Sequence, residues 1–182
     1  MKAVLDACVL YPTVLREILI LVADAGLYTP IWSDRILAEW RHAASRLGPD
    51  QQAIAGAEIA LLRERYPANL APDGGQAAAG FDWPDPADRH VAEAALASGA
   101  ELIVTANLRD FPRRATATLG LRAVHPDEFL TGLFHQSPDA VARAVQATHD
   151  RAQALGGTAT LRELMGRARL SRLAKAMGRA GV

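Results

Sequence analysis

The chain has 182 residues, half of them hydrophobic and 22% charged, with 20 basic and 20 acidic side chains in balance. That composition fits one globular domain with a sizeable core and a small appendage, and no global field favours nucleic acid. Cys8 is the single cysteine, which excludes a disulfide framework and a cysteine metal cage.

Charge is unevenly spread: Met1–Asp150 carries 13 basic and 19 acidic residues, and Arg151–Val182 carries 7 and 1. The body is acidic and the tail basic. No apolar run approaches a membrane span, and Asp6 interrupts the N-terminus too early for a secretory signal. A cytoplasmic protein with no membrane partner is expected.

Lys2-Ala3-Val4-Leu5 reads as a short buried strand ending at Asp6. Pro12 opens a helix that is apolar nearly all round and ends at Gly26. Leu27–Ile31 follows as a second strand, weakened by Pro30. Ser33 is an N-cap for a helix whose core stripe is Ile36, Trp40, Ala43, Ala44 and Leu47. Glu39 lies at the edge of that stripe, and periodicity alone reads it as the exposed i,i+4 partner of Arg35. Pro49 to Tyr66 is a further helix, expected to turn Ala53, Ile54, Ala57, Leu61 and Leu62 inward. Pro67 to Gly80, rich in Ala, Gly and Pro, reads as a loop.

The stretch Asp82-Trp83-Pro84-Asp85-Pro86-Ala87-Asp88 holds three acids in seven residues. Asp85 is placed as an N-cap, Pro86 suits the first helical position, and the helix runs to Ser98 with Gly99 as its stop. Asp88 precedes Val91 by three and Ala95 by seven, so it stands on the apolar face. Acids belong at helix N-termini because the dipole is positive there. A carboxylate aimed at the buried side, however, needs a cation.

Glu101–Thr105 is the clearest strand, and Leu121–Val124 is a last short one. Pro126-Asp127-Glu128 opens a helix with acids in its first turn. Beyond Pro138 the chain turns helical, with a helix over Ala140–Ala154, a Thr160/Glu163 capping box and a helical set at Leu170–Met177. Leu161, Leu164, Met165 and Ala168 share one apolar face, expected to pack.

Strands alternating with helices predict an α/β fold with a central, mainly parallel sheet. In such a sheet the residues just past the strand C-termini converge on one crevice. Asp6, Asp88 and Asp110 are expected there, and Glu39 can reach it from its helix flank. Four carboxylates at one rim repel each other. Mg²⁺ or Mn²⁺ relieves that conflict, since hard cations prefer oxygen ligands. The five histidines show no ligand spacing, so zinc is not indicated. Arg89, Arg109, Arg113 and Arg114 lie near the crevice and can meet phosphates.

Rival classes fare worse. A receiver or dehalogenase-like phosphoaspartate site also puts an Asp after the first strand. The former lacks its late lysine, and in the latter Cys8 stands where a second Asp belongs. No G-x-x-x-x-G-K loop is present to cradle nucleotide phosphates.

Several blocks together are similar to PIN-domain proteins. They are Val4-Leu5-Asp6-Ala7-Cys8-Val9-Leu10, Trp32 to Arg41, Asp85-Pro86-Ala87-Asp88-Arg89-His90-Val91, Ile103 to Pro112, and His125 to Leu130. The resemblance covers Met1 to Leu130 and implies a PIN-like three-layer fold over 1–132, with a helical C-terminal extension over 138–182. It further implies the VapC-type toxin ribonuclease of bacterial toxin–antitoxin pairs. In that reading Asp6, Glu39, Asp88 and Asp110 are the acidic quartet at the metal, and Thr105, Asn107 and Asp85 support the site. The substrate is RNA, a cognate antitoxin is the expected partner, and a homodimer is the family expectation. Cys8 departs from the small polar residue frequent in relatives. The rival reading is a non-catalytic PIN-fold module that binds RNA or protein.

Overall fold

A computed structural model describes residues 1–181. Five strands form one sheet: β1 (Lys2–Leu5), β2 (Thr29–Ser33), β3 (Leu70–Ala71), β4 (Leu102–Val104) and β5 (Arg122–Val124). Their order is β3-β2-β1-β4-β5 and every pairing is parallel. The helices are α1 (Ala7–Leu10), α2 (Thr13–Asp24), α3 (Asp34–Ser45), α4 (Pro49–Arg65), α5 (Arg89–Ser98) and α6 (Arg113–Thr118). They continue with α7 (Pro126–Gln136), α8 (Pro138–Ala154), α9 (Leu161–Arg167) and α10 (Ser171–Ala180).

Contacts group the chain into two units, Met1–Tyr11 with Thr29–Val124, and Pro12–Tyr28 with His125–Val182. The first holds the whole sheet. Val4 lies opposite Ile31 on one side and Ile103 on the other, and all three are buried. Strands covered on both faces read as unbroken apolar runs, which is why these segments lack alternation.

The second strand begins two residues later than expected, at Thr29 rather than Leu27. Pro30 therefore sits inside it. It is tolerated because β3 reaches only Trp32 and Ser33, so at Pro30 the strand has a ladder partner on one side alone. Its carbonyl accepts from Asn69 Nδ2 at 2.7 Å. The segment expected to be loop throughout thus contributes an edge strand at Leu70–Ala71.

Ser33 caps α3, its Oγ accepting from the Ile36 N–H at 3.3 Å. Ile36, Trp40 and Ala44 are buried as expected, but α3 stops at Ser45 and leaves Leu47 exposed. In α4 the buried residues are Ala55, Ile59 and Leu62, while Ile54 and Leu61 are exposed. Leu62 faces inward as expected, but Ile54 and Leu61 do not, because apolar residues surround that helix. Only its packing on α3 decides which stripe is covered.

A 3₁₀ turn over Pro86–Asp88 precedes α5, so Asp88 ends that turn instead of lying in the first α-helical turn. Asp85 caps the turn, its Oδ1 accepting from Ala87 N–H at 2.8 Å. Gly99 closes α5 at φ +66°, a left-handed position that suits glycine.

In the second unit α7 packs on α8 and α10, and α2 on α8. Tyr28 meets Phe129 edge-to-face at 4.9 Å, and Leu130, Leu133, Val141, Val145 and Leu173 are fully or almost fully buried. The Thr160/Glu163 capping box is present, and Leu164 and Met165 of α9 are buried. No helix among the described residues is long and apolar enough to cross a membrane.

Candidate active site

β1 and β4 are neighbours, yet the chain leaves β1 toward β2 on one side and β4 toward β5 on the other. The carboxyl ends of two such strands frame a crevice, because their outgoing connections diverge. Asp6 directly follows β1 and Thr105 directly follows β4. The Asp6 N–H donates to Val104 O at 3.1 Å, which continues the ladder by one residue and sets the two side chains face to face.

Thr105 Oγ1 donates to Asp6 Oδ2 at 2.7 Å, and Cys8 Sγ donates to the same oxygen at 3.0 Å. The Asn107 N–H in turn donates to Thr105 Oγ1 at 3.0 Å. Asp6 is 7% exposed, and among the described residues its Oδ1 receives no hydrogen bond, leaving that oxygen to a cation or water. The departure at position 8 therefore keeps the contact with Asp6 through sulfur.

Burial, with the charge and hydrogen bond of Asp6, pushes the Cys8 thiol up to about 12. A thiol that stays protonated is a poor nucleophile. In the folded protein Cys8 is expected to resist alkylation by iodoacetamide at pH 8 and to react once the chain is denatured. Equal rates in both states, followed by mass spectrometry, would contradict this environment.

Asp88 is half-buried. Burial first, then the charges of Asp6, Asp85, Asp110 and Glu39, raise its carboxyl from 3.8 to about 6. The fold thus brings Asp6, Glu39 and Asp110 within electrostatic reach of Asp88. Asp110 lies on a 3₁₀ turn over Leu108–Asp110, with Arg109 Nε 3.9 Å from its Oδ1.

Glu39 is held by two neighbours. Arg35 Nε approaches its Oε1 at 3.3 Å, so the helix pair read from the sequence exists. His90 Nε2 lies 2.9 Å from the same oxygen, although neither ring nitrogen finds a correctly directed hydrogen bond. Burial pushes the Glu39 carboxyl up, but the combined pull of His90 and Arg35 outweighs it and leaves the group below its ordinary value. Arg35 Nη2 also donates to Ala87 O at 3.0 Å, tying α3 to the turn that carries Asp88.

Two residues passed over in the sequence matter here. His90, in the first turn of α5, has a side chain that is only 10% exposed and faces Glu39. Glu93 falls between Val91 and Ala94 on a buried helix and belongs to no motif in the sequence. Its carboxylate accepts from the Ala77 and Ala78 N–H groups at 3.1 and 2.7 Å. The other arginines are peripheral: Arg109, Arg113 and Arg114 are exposed, and the partly buried Arg89 side chain makes no ion pair or hydrogen bond among the described residues.

Among the described residues, no three acidic, histidine or cysteine side chains converge as a finished metal cage. Protein donors take one oxygen each of Asp6 and Glu39. The donor chemistry nonetheless fits a hard divalent cation. All four candidates are carboxylates, one Asp6 oxygen is unclaimed, and Asp88 is destabilised by the negative charge of its neighbours.

A parallel α/β sheet with carboxylates gathered beyond the ends of β1 and β4 defines a class of acid-lined crevice. The family described as PIN domain matches residues 2–109, and the chain belongs to that family. Over 43 residues it is 51% identical to a protein of Mycobacterium tuberculosis named "Putative ribonuclease VapC50". That match covers 24% of this chain and 25% of the relative, so the aligned part spans about a quarter of the relative's length. No solved structure matches the chain.

Proposed function

We propose that the protein is a metal-dependent endoribonuclease, the VapC-type toxin of a toxin–antitoxin pair, hydrolysing phosphodiester bonds of single-stranded RNA. One observation carries the reading: the buried Asp6 carboxylate just past β1, its Oδ2 held by Thr105 and Cys8, with Asp88 beside it under the charges of Asp6, Asp85, Asp110 and Glu39. An accumulation of like charge at one crevice is unfavourable for folding alone and is typical of functional sites.

Asp6, Glu39, Asp88 and Asp110 would hold Mg²⁺ or Mn²⁺. When bound, such a cation lowers the pKa of a coordinated water and offsets negative charge on the phosphodiester. Thr105 and Cys8 fix the rotamer of Asp6 by taking its Oδ2, and Asn107 fixes Thr105 through its N–H. Arg35 and His90 hold Glu39 at the rim. Asp85 sets where the turn carrying Asp88 begins. Arg89, Arg109, Arg113 and Arg114 are the cations available to the RNA. The antitoxin partner, the homodimer and the cytoplasmic setting belong to the same reading, with 138–182 as the extension that packs on the nuclease part or receives a partner.

The deciding experiment incubates purified protein with total cellular RNA, with Mn²⁺ or Mg²⁺ and with chelator, and maps the fragment ends. Cleavage is expected only with metal, and Asp6→Asn is expected to lower it by at least about 10²-fold while the circular dichroism spectrum is kept. Full activity in Asp6→Asn sinks the reading. RNA binding without cleavage would instead favour the non-catalytic module.

A further inference from the structure

Beside the acid-lined crevice lies a cavity of about 250 Å³ bordered by Arg35, Asp73, Gly75, Gln76, Arg89 and His90. Its far wall is the chain from Pro72 to Gln76, part of the stretch that carries no motif in the sequence. That wall is held in place from below. Glu93 accepts from Ala77 and Ala78 N–H, and Trp83 Nε1 donates to Ala78 O at 2.9 Å. Gly75 is needed for the approach, because a Cβ there would fall 2.5 Å from Glu93 Oε2. A loop fastened by a buried carboxylate is a built wall.

On the opposite wall, Arg35 and His90 face Glu39, and the His90 ring is left without a well-directed hydrogen bond. His90 is nine-tenths buried; its Nε2 faces Glu39 Oε1 at 2.9 Å without good hydrogen-bond direction, and its Nδ1 has no hydrogen-bond partner among the described residues. Buried polar atoms without partners are uncommon, and such atoms lining a cavity mark a place for a ligand. Arg89 makes no ion pair or hydrogen bond among the described residues. His90 and Arg35 also touch Glu39, so an occupant of this cavity would lie directly beside the acids.

We propose that this cavity holds one unpaired nucleobase of the RNA, guanine best of the four, next to the bond that is cut. The proposal rests on the ribonuclease reading for the identity of its ligand. The volume falls below the about 300–1,000 Å³ of pockets for drug-sized molecules, which leaves room for a single ring system. A phosphate needs donors only, whereas this lining mixes donors (Arg89, His90) with an acceptor (Asp73). Guanine presents O6 and N7 to a guanidinium fork and N1–H and N2–H to a carboxylate. Single-stranded RNA is read in this manner, by bases splayed out and hydrogen-bonded along their edges.

The test has two arms. In the first, binding of guanosine, adenosine, cytidine and uridine 5′-monophosphates and of inorganic phosphate is followed by ligand-observed NMR on the full chain with chelator present. Guanosine monophosphate is expected to bind at least about tenfold tighter than the others. Arg89→Met, Gln76→Ala and Gly75→Ala are each expected to erase that preference with the circular dichroism spectrum retained. Equal binding of all four, or inorganic phosphate binding as well as the nucleotides, overturns the proposal.

In the second arm, RNA cleavage sites are mapped for wild type and Arg89→Met. Guanine is expected at one fixed offset from the cut, and the variant loses that preference. A uniform drop with the preference intact would mark Arg89 as a phosphate contact and overturn the base pocket. If the wild type cuts no RNA, the ribonuclease reading fails and the first arm alone decides the pocket.

Discussion

Asp88→Asn is expected to make the metal-free protein more stable at pH 7 while removing both RNA cleavage and stabilisation by Mn²⁺. Asp88 titrates near 6 in the fold against an ordinary 3.8, so the folded state holds the proton more tightly than the unfolded chain. Below pH 3.8 both states are protonated and nothing is lost. Between 3.8 and about 6 the wild type loses stability as pH rises, and above 6 the loss is complete. A two-unit shift would be worth about 3 kcal/mol, but Asp88 is only half-buried and solvent screening reduces this to about 1 kcal/mol.

Asparagine has the same shape and no charge, so it abolishes that loss at pH 7 and changes nothing at pH 3.5. Cleavage is expected to fall by at least about 10²-fold, since a ligand to the proposed cation is gone. Thermal melts of both proteins in chelator at the two pH values, then with millimolar Mn²⁺ at pH 7, check each part. Wild type should melt higher with Mn²⁺ by mass action, and the variant should respond much less. Equal Mn²⁺ stabilisation of both proteins would remove Asp88 from the metal.

The largest loss of stability outside the hydrophobic core is expected at Asp127, in the second unit. Its side chain is 5% exposed, with Oδ2 accepting from Arg172 N–H and Oδ1 from Leu173 N–H, both at 2.9 Å. Ser171 Oγ lies 3.5 Å from Oδ2. The N-cap position of α10 is Leu170, which offers no side-chain acceptor. An acid from α7 therefore caps α10 across space and meets the positive end of its dipole.

Asp127→Ala leaves one buried and one part-buried N–H unpaired and is expected to destabilise by about 2 kcal/mol, with Asp127→Asn roughly half as costly. Urea denaturation measures the difference, and hydrogen exchange at Arg172 and Leu173 should accelerate in the alanine variant. A change below about 0.5 kcal/mol would mean that water replaces the carboxylate.

How much was legible in advance varied with how local each signal was. The β1 strand, the Ser33 cap, the Gly99 stop and the Thr160/Glu163 box were readable because each depends on residues within a few positions. The short helices α1 and α6 were not, since neither carries a periodic stripe long enough to detect. Asp127 was correctly placed in a first turn, but its partners lie more than forty residues on, at Arg172 and Leu173. In α4 only Leu62 of the expected inward residues is buried, for the same kind of reason, since α3 decides which stripe is covered.

At the crevice the division is sharper. The chain alone determined that Asp6 ends a buried strand, that Asp85 begins a turn and that a cluster of acids precedes an apolar helix. These are consequences of apolar runs, proline and side-chain capping over short spans. Only the tertiary structure decided that Asp6 meets Thr105 across 99 positions, that His90 turns toward Glu39, and that Glu93 fastens the loop at Ala77 and Ala78. Those contacts follow from the parallel register of β1 against β4 and from the docking of α5 on the sheet. Spacing along the chain encodes neither, because a crossover of any sufficient length can bring the same two strand ends together.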